Sequence, residues 1–274
     1  MILEKIDLYS YFNQEKPENA KGILTVYAHT PNASESADRK RPAMLVLGGG
    51  GYQYVSEREK EPVAMYFYAD SFNVFVLEYS CPKPYPTDLI EACMAMAFIR
   101  ENADKYQVDN SHVAAIGFSA GGHLCGSLSF LHNEPEVVAV LGDKVKLAKP
   151  DAIILSYPVI TSGGKAHMGS FEVLAKDNEQ LKKKLSLEDK VTADAPPAFI
   201  WTTVADDAVP SENTLLIACA YRNAGVPFEL HMFENGKHGL SLANVEVSSP
   251  HKEVAQWKAL SKVWLDKRGF VISD

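Results

Sequence analysis

Val113-Ala114-Ala115-Ile116-Gly117-Phe118-Ser119-Ala120-Gly121-Gly122-His123-Leu124 is the stretch from which the rest of the chain can be read. Its first four residues form an uninterrupted apolar run, the pattern of a strand buried on both faces. The residues from Gly122 to Leu128 read as a helix. Between them stands Gly-x-Ser-x-Gly. A strand that turns sharply into a helix through a central serine is the setting of a nucleophile elbow. Glycine is needed on both sides because the turn is strained and neighbouring chain packs against it. The hydroxyl of Ser119 is then held out at a helix N-terminus beyond the sheet edge, and serine hydrolase chemistry is the expectation. Glycine and serine are common residues, so the motif needs three companions: an oxyanion-binding loop before it, then an acid and a histidine after it.

Strand and helix patterns alternate on both sides of this stretch. Ile2 to Leu8 and Gly22 to His29 read as a short N-terminal hairpin, followed by an exposed polar loop from Pro31 to Arg41. Ala43 to Leu47 is a strand, Glu61 to Ala69 a helix and Val74 to Tyr79 a strand. Asp88 to Tyr106 reads as one long helix, with Asp88 and Glu91 at capping-box spacing. Ala152 to Tyr157, Ala198 to Thr203 and Phe228 to Phe233 are further strands. A last helix is expected to begin at Ser249-Pro250 and stop before Gly269, burying Val254, Trp257, Leu260 and Trp264. The alternation predicts an α/β fold over residues 1–274: one domain, with a mostly parallel central sheet and helices on both faces. Ligands on such sheets bind at the carboxyl ends of the strands. The polar segment from Thr161 to Asp194 interrupts the alternation. It reads equally as a substrate-shaping insertion over that edge or as a solvated crossover with a Lys182-Lys183-Lys184 surface run.

The chain has 274 residues, 46% of them hydrophobic and 23% charged, with a net charge of −8. An acidic balance argues against nucleic acid or an anionic membrane surface as partner. The residues Met1 to Asp7 lack the basic-then-apolar pattern of a signal peptide. Four cysteines, Cys81, Cys93, Cys125 and Cys219, are scattered without a Cys-x-x-Cys pair, so reduced thiols in a cytoplasmic protein are expected. A homodimer is expected only from the frequency of dimers among such enzymes.

A serine nucleophile needs a base to take its proton and an acid to orient that base. In chain order these follow as acid, then histidine. His238 sits in Asn235-Gly236-Lys237-His238-Gly239-Leu240, directly after a strand, where an imidazole can reach across to Ser119. His123 is four residues from the serine but points away along its helix, His231 lies within a strand, and His251 falls in the first turn of the last helix. The acid follows the preceding strand, in Val204-Ala205-Asp206-Asp207-Ala208-Val209-Pro210. The spacing Asp-x-x-Val-Pro favours Asp206, with Asp207 as the alternative. The oxyanion donors are expected from Gly48-Gly49-Gly50-Gly51-Tyr52, which follows a strand, together with the N–H of Ala120. No Gly-Lys-Ser/Thr follows these glycines, and Gln53 and Tyr54 stand where a dinucleotide fingerprint needs glycine. No metal-ligand spacing is present, and the chemistry needs no cofactor.

With these parts in order the chain resembles the α/β-hydrolase superfamily, and within it the acetyl esterase and acetylxylan-esterase-like group. The resemblance covers about residues 40–265. It rests on Gly49-Gly50-Gly51-Tyr52, Arg58-Glu59-x-Glu61-Pro62, Gly117 to Leu124, Asp206 to Pro210 with Glu212-Asn213, and Lys237-His238-Gly239-Leu240-Ser241-Leu242-Ala243. It implies a Ser119, Asp206 and His238 triad, with one of Gly49, Gly50 and Gly51 plus Ala120 as the oxyanion hole. The lipase form of the glycine loop begins with histidine, and Gly48 stands in that place here. The implied substrate is a small ester, with short acyl groups on a carbohydrate such as acetylated xylose oligomers. An arylformamidase-like or peptidase-like amide hydrolase on the same triad is one alternative. A non-catalytic ligand-binding protein is another, and it would require a broken triad.

Overall fold

One sheet of eight strands runs through the computed structural model, which describes residues 1–30 and 39–273. In chain order the strands are β1 (Ile2–Asp7), β2 (Ile23–Ala28), β3 (Arg41–Leu47), β4 (Asn73–Glu78), β5 (Val108–Phe118), β6 (Ala152–Ser156), β7 (Ala198–Thr203) and β8 (Phe228–Phe233). Across the sheet they lie β1-β2-β4-β3-β5-β6-β7-β8. The hairpin pair β1–β2 and the pair β2–β4 are antiparallel, and all the others are parallel. This is the α/β-hydrolase arrangement. Most of the polar stretch from Pro31 to Arg41 lies outside the described residues; Lys40 forms an isolated bridge with Ser273. No helix among the described residues is long and apolar enough to cross a membrane.

The apolar runs of the central strands are explained by what covers them. Successive side chains point to opposite faces, and both faces are buried. Ala43, Leu45 and Leu47 of β3 and Val113 and Ala115 of β5 pack into one core, with Leu89 and Cys93, Leu124 and Leu128, and Ile217 and Tyr221 from three helices. Met44 and Val46, with Ala114, Ile116 and Phe118, pack into the other, against Val63 and Phe67, Trp257 and Trp264.

Three local expectations are corrected. The long helix from Asp88 to Tyr106 is two helices, Thr87–Glu101 and Ala103–Tyr106. The break falls at Asn102, whose side-chain amide donates to the Phe98 carbonyl at 2.8 Å, the local competition with helix bonding for which asparagine is prone. The capping box does not form, because the N-cap position is Pro86 and both acids turn inward. Glu91 accepts from Ser80 N–H at 2.7 Å, Ser80 Oγ at 2.5 Å and Tyr9 Oη at 2.9 Å. Finally, the last helix spans Trp257–Asp266 and follows a single 3-10 turn, Val254–Gln256. The N–H of His251 is spent on the Ala243 carbonyl at 3.0 Å, so the chain at Ser249-Pro250 is tied back to the preceding loop rather than starting a helix.

Asp88 is buried, and its Oδ1 has no partner among the described residues. Burial pushes its carboxyl up to about 7, against the lowering effect of the Leu89 N–H. While both folded and unfolded chains are protonated, the group's contribution does not change with pH. As pH rises from about 4 to about 7 the unfolded chain releases the proton and the folded chain keeps it, so stability falls. Asp88→Asn removes this dependence. Its stability relative to wild type is expected to rise by about 2 kcal/mol between pH 5 and pH 8, measured by urea denaturation at both values. A difference that stays constant with pH would contradict the assignment.

Candidate active site

The functional side chains sit on loops that leave the carboxyl ends of β3, β5, β6, β7 and β8. Ser119 follows β5 and holds φ 54° and ψ −120°, a strained backbone for a non-glycine residue. Its N–H donates to the Ser156 carbonyl at 3.0 Å, and its carbonyl accepts from Val159 N–H at 3.0 Å. These bonds tie the turn to the loop after β6. Gly121 is obligatory, because a Cβ there would stand 2.2 Å from the Leu47 carbonyl oxygen and 2.4 Å from that of Gly48. The close approach brings the glycine loop after β3 against the start of the serine helix, Ala120–Phe130.

Three polar side chains far apart in sequence form one hydrogen-bonded line. Ser119 Oγ is 2.7 Å from His238 Nε2, and His238 Nδ1 is 2.7 Å from Asp206 Oδ2. A carboxylate only accepts, so Nδ1 carries the proton and Nε2 accepts from the serine hydroxyl. Asp206 Oδ1 accepts from Ala208 N–H at 3.0 Å and Val209 N–H at 2.8 Å, which fixes the carboxylate. Its side chain is 1% exposed. Asp207 faces outward instead, accepting the backbone N–H of His238 at 3.1 Å and lying 3.6 Å from Lys237 Nζ. The imidazole of His238 packs against the edge of Tyr157, with ring centroids 5.0 Å apart.

The glycine loop does not offer all its N–H groups. Gly49 N–H donates to Glu59 Oε2 at 2.7 Å, so Gly49 is removed from the candidate oxyanion donors. Gly50 holds φ +124°, and a Cβ on it would stand 2.2 Å from the Tyr54 carbonyl oxygen. The N–H groups of Gly50, Gly51 and Ala120 have no acceptor among the described residues. Gly50, Gly51 and Ser119 border a cleft of about 320 Å³, together with Tyr54, Arg58, His167 and His238. A larger depression of about 540 Å³, beside Arg100, Lys149 and Asp194, lies at the opposite, amino-terminal edge of the sheet. Its charges are already paired, Arg100 with Asp151 at 3.0 Å and Lys149 with Asp194 at 2.6 Å, and the serine is remote from it.

Other sequence candidates are placed elsewhere. His123 is buried, donating from Nε2 to the Leu185 carbonyl at 2.8 Å and accepting from the Tyr52 hydroxyl at Nδ1, also at 2.8 Å. Burial pushes its imidazole down to about 4, so it is a neutral core residue. Tyr52 and Tyr157 are buried, whereas Tyr54 is 62% exposed at the cleft mouth. The segment from Thr161 to Asp194 contains the helices Met168–Ala175 and Glu179–Lys184 and contributes His167 and Gly169 to the cleft wall. Asn213 anchors that segment, accepting at Oδ1 from Ile160 and Thr161 N–H and donating from Nδ2 to the Lys165 carbonyl. In the sequence Glu59 figures only within the Arg58-Glu59-x-Glu61-Pro62 motif, with no role of its own, and Tyr157 only as the end of a strand; one of three glutamates in Glu57-Arg58-Glu59-Lys60-Glu61 gives no sign that it is buried.

A serine on a strained strand-to-helix turn, at the carboxyl edge of this sheet and bonded to a histidine and an aspartate from later loops, defines an α/β-hydrolase. The chain belongs to the BD-FAE family, whose model matches residues 30–220. The chain is 39% identical over 249 residues to an endo-1,4-beta-xylanase B of Butyrivibrio fibrisolvens, covering 85% of this chain and 38% of that protein. It is 28% identical over 208 residues to an acetylxylan esterase of Xylanibacter ruminicola, covering 72% and 40%. The chain thus spans about two fifths of the length of these two relatives. Among solved structures, an acetyl ester-xyloside bifunctional hydrolase from Caldicellulosiruptor lactoaceticus superimposes with a TM-score of 0.82 at 32% identity, covering 98% of this chain and 97% of that one. A carboxylesterase from Lactobacillus plantarum superimposes with a TM-score of 0.84 at 26% identity over the full length of both.

Proposed function

We propose that this chain is a serine esterase that removes short acyl groups, acetyl above all, from carbohydrate esters such as acetylated xylo-oligosaccharides. The observation that carries the reading is the unbroken line from Ser119 Oγ through His238 to Asp206, both links at 2.7 Å, beside unoccupied N–H groups. His238 Nε2 takes the hydroxyl proton as Ser119 Oγ attacks the ester carbonyl. The tetrahedral oxyanion is stabilised by N–H donors fixed before the reaction, Ala120 and one of Gly50 and Gly51. His238 then returns the proton to the leaving alcohol, and the C–O bond of the ester breaks. Water repeats the sequence on the acyl-serine, releasing the acid. Asp206 holds the imidazole in the productive tautomer and stabilises its protonated form.

The substrate class rests on the cleft and on the relatives. A volume of about 320 Å³ is at the small end for ligand sites, enough for one sugar ring carrying a two-carbon acyl group rather than a long fatty chain. Its wall carries four polar side chains, Gln53, Ser56, Arg58 and His167, able to hydrogen-bond sugar hydroxyls. On this reading the segment from Thr161 to Asp194, through His167, shapes the alcohol side. The acetylxylan esterase and acetyl ester-xyloside hydrolase among the similar proteins point the same way. Acetyl, butyryl and octanoyl p-nitrophenyl esters and acetylated xylo-oligosaccharides test it. The acetate ester is expected to have the highest kcat/KM, with acetate released from the oligosaccharide. A preference for octanoyl, or release from formyl amides but not from acetyl esters, would overturn it.

A further inference from the structure

Glu59 is 2% exposed and forms no ion pair among the described residues, with Arg58 and His238 acting on its charge only from beyond contact. Burying an unpaired carboxylate is costly, and here both oxygens are occupied by donors from the site's own loops. Oε2 accepts from Gly49 N–H at 2.7 Å, and Oε1 accepts from the Tyr157 hydroxyl at 2.6 Å. The same Tyr157 oxygen accepts from Ser241 N–H at 2.8 Å, three residues past His238. Ser241 Oγ closes the ring by donating to the Arg58 carbonyl at 2.5 Å. One carboxylate therefore connects the glycine loop after β3, the residue after β6 and the histidine loop after β8. Burial pushes its carboxyl up, while the Tyr157 hydroxyl and the Gly49 N–H hold it back.

We propose that Glu59 is a positioning residue that locks the oxyanion-binding loop to the histidine loop. Taking up the Gly49 N–H leaves the next peptide free to aim at the oxyanion, and Tyr157 holds the segment carrying His238 in register with it. The inference rests on the esterase reading above. A misplacement of about 1 Å at a reacting centre costs on the order of 10²-fold in rate, and the ring opposes that drift. Glu59→Gln is nearly isosteric but replaces one acceptor with an NH₂ donor, which must face either the Gly49 N–H or the Tyr157 hydroxyl.

The test measures kcat and KM for p-nitrophenyl acetate, and the affinity for a short alkylboronic acid, which forms a tetrahedral adduct on a serine. Glu59→Gln is expected to lower kcat by about tenfold to a hundredfold, less than outright removal of a donor. Boronate affinity should fall by a similar factor, with KM changed by less than about threefold. Tyr157→Phe is expected to repeat the pattern, and it decides the matter if Glu59→Gln does not fold. A folded variant with kcat within about twofold of wild type, or with kcat lowered while boronate affinity is unchanged, overturns the proposal. If wild type does not hydrolyse the ester, the esterase reading fails and takes this inference with it. If Ser119→Ala is inactive while Glu59→Gln equals wild type, the inference alone fails.

Discussion

Ser119→Ala is expected to lower kcat on p-nitrophenyl acetate by about 10⁶-fold, the scale seen when a serine nucleophile is removed from such a unit. Among the described residues it is the Ser119 hydroxyl that is hydrogen-bonded to His238 Nε2, at 2.7 Å, and so is placed to give up its proton and take the acyl group. Residual rate above water is expected to survive through the N–H donors of the glycine loop and Ala120. The substitution deletes one oxygen from a residue that is 6% exposed and adds no heavy atom. The backbone at φ 54° is already imposed by the bonds to Ser156 and Val159, so the thermal midpoint should stay close to that of wild type. Loss of activity with an unchanged midpoint separates chemistry from folding.

Asp206→Asn and Asp207→Asn are expected to differ sharply. The first should cost about 10⁴-fold in kcat, the second less than about tenfold. An asparagine at 206 can keep its oxygen on the N–H groups of Ala208 and Val209, which places its NH₂ against His238 Nδ1. A donor there forces the proton onto Nε2, and that nitrogen then has no lone pair for the serine proton. Asp207 contributes one bond to the His238 backbone from an exposed carboxylate, and an asparagine oxygen can replace it. Steady-state kinetics on both variants decide the acid; equal losses would contradict the assignment.

The parts legible in the sequence are those whose pattern has one physical meaning. Both-sided burial makes β3 and β5 read as apolar runs, and the glycine and serine turns follow them directly. Chain order leaves His231, His238 and His251 after the acid, and the glycine-flanked loop directly after a strand singles out His238. Two adjacent aspartates share the same local pattern, and only the loop's closure on Ala208 and Val209 turns one inward. The rest was set by tertiary contacts that no short window contains. Asp88 and Glu91 have the spacing of surface capping groups, yet Glu91 is drawn inward by Ser80 and Tyr9. The exclusion of Gly49 from the three glycines depends on Glu59, ten residues further on, buried and bonded through its other oxygen to Tyr157. The helix break at Asn102 and the late start of the final helix depend on side-chain and loop bonds of the same kind.

Titration with a fluorophosphonate, following esterase activity and locating the label by peptide mass spectrometry, tests the central claim most directly. One label per chain on Ser119, with acetyl esterase activity lost in proportion to labelling, is the expected result. Activity that persists in fully labelled protein, or a label that inactivates from any residue other than Ser119, would contradict it.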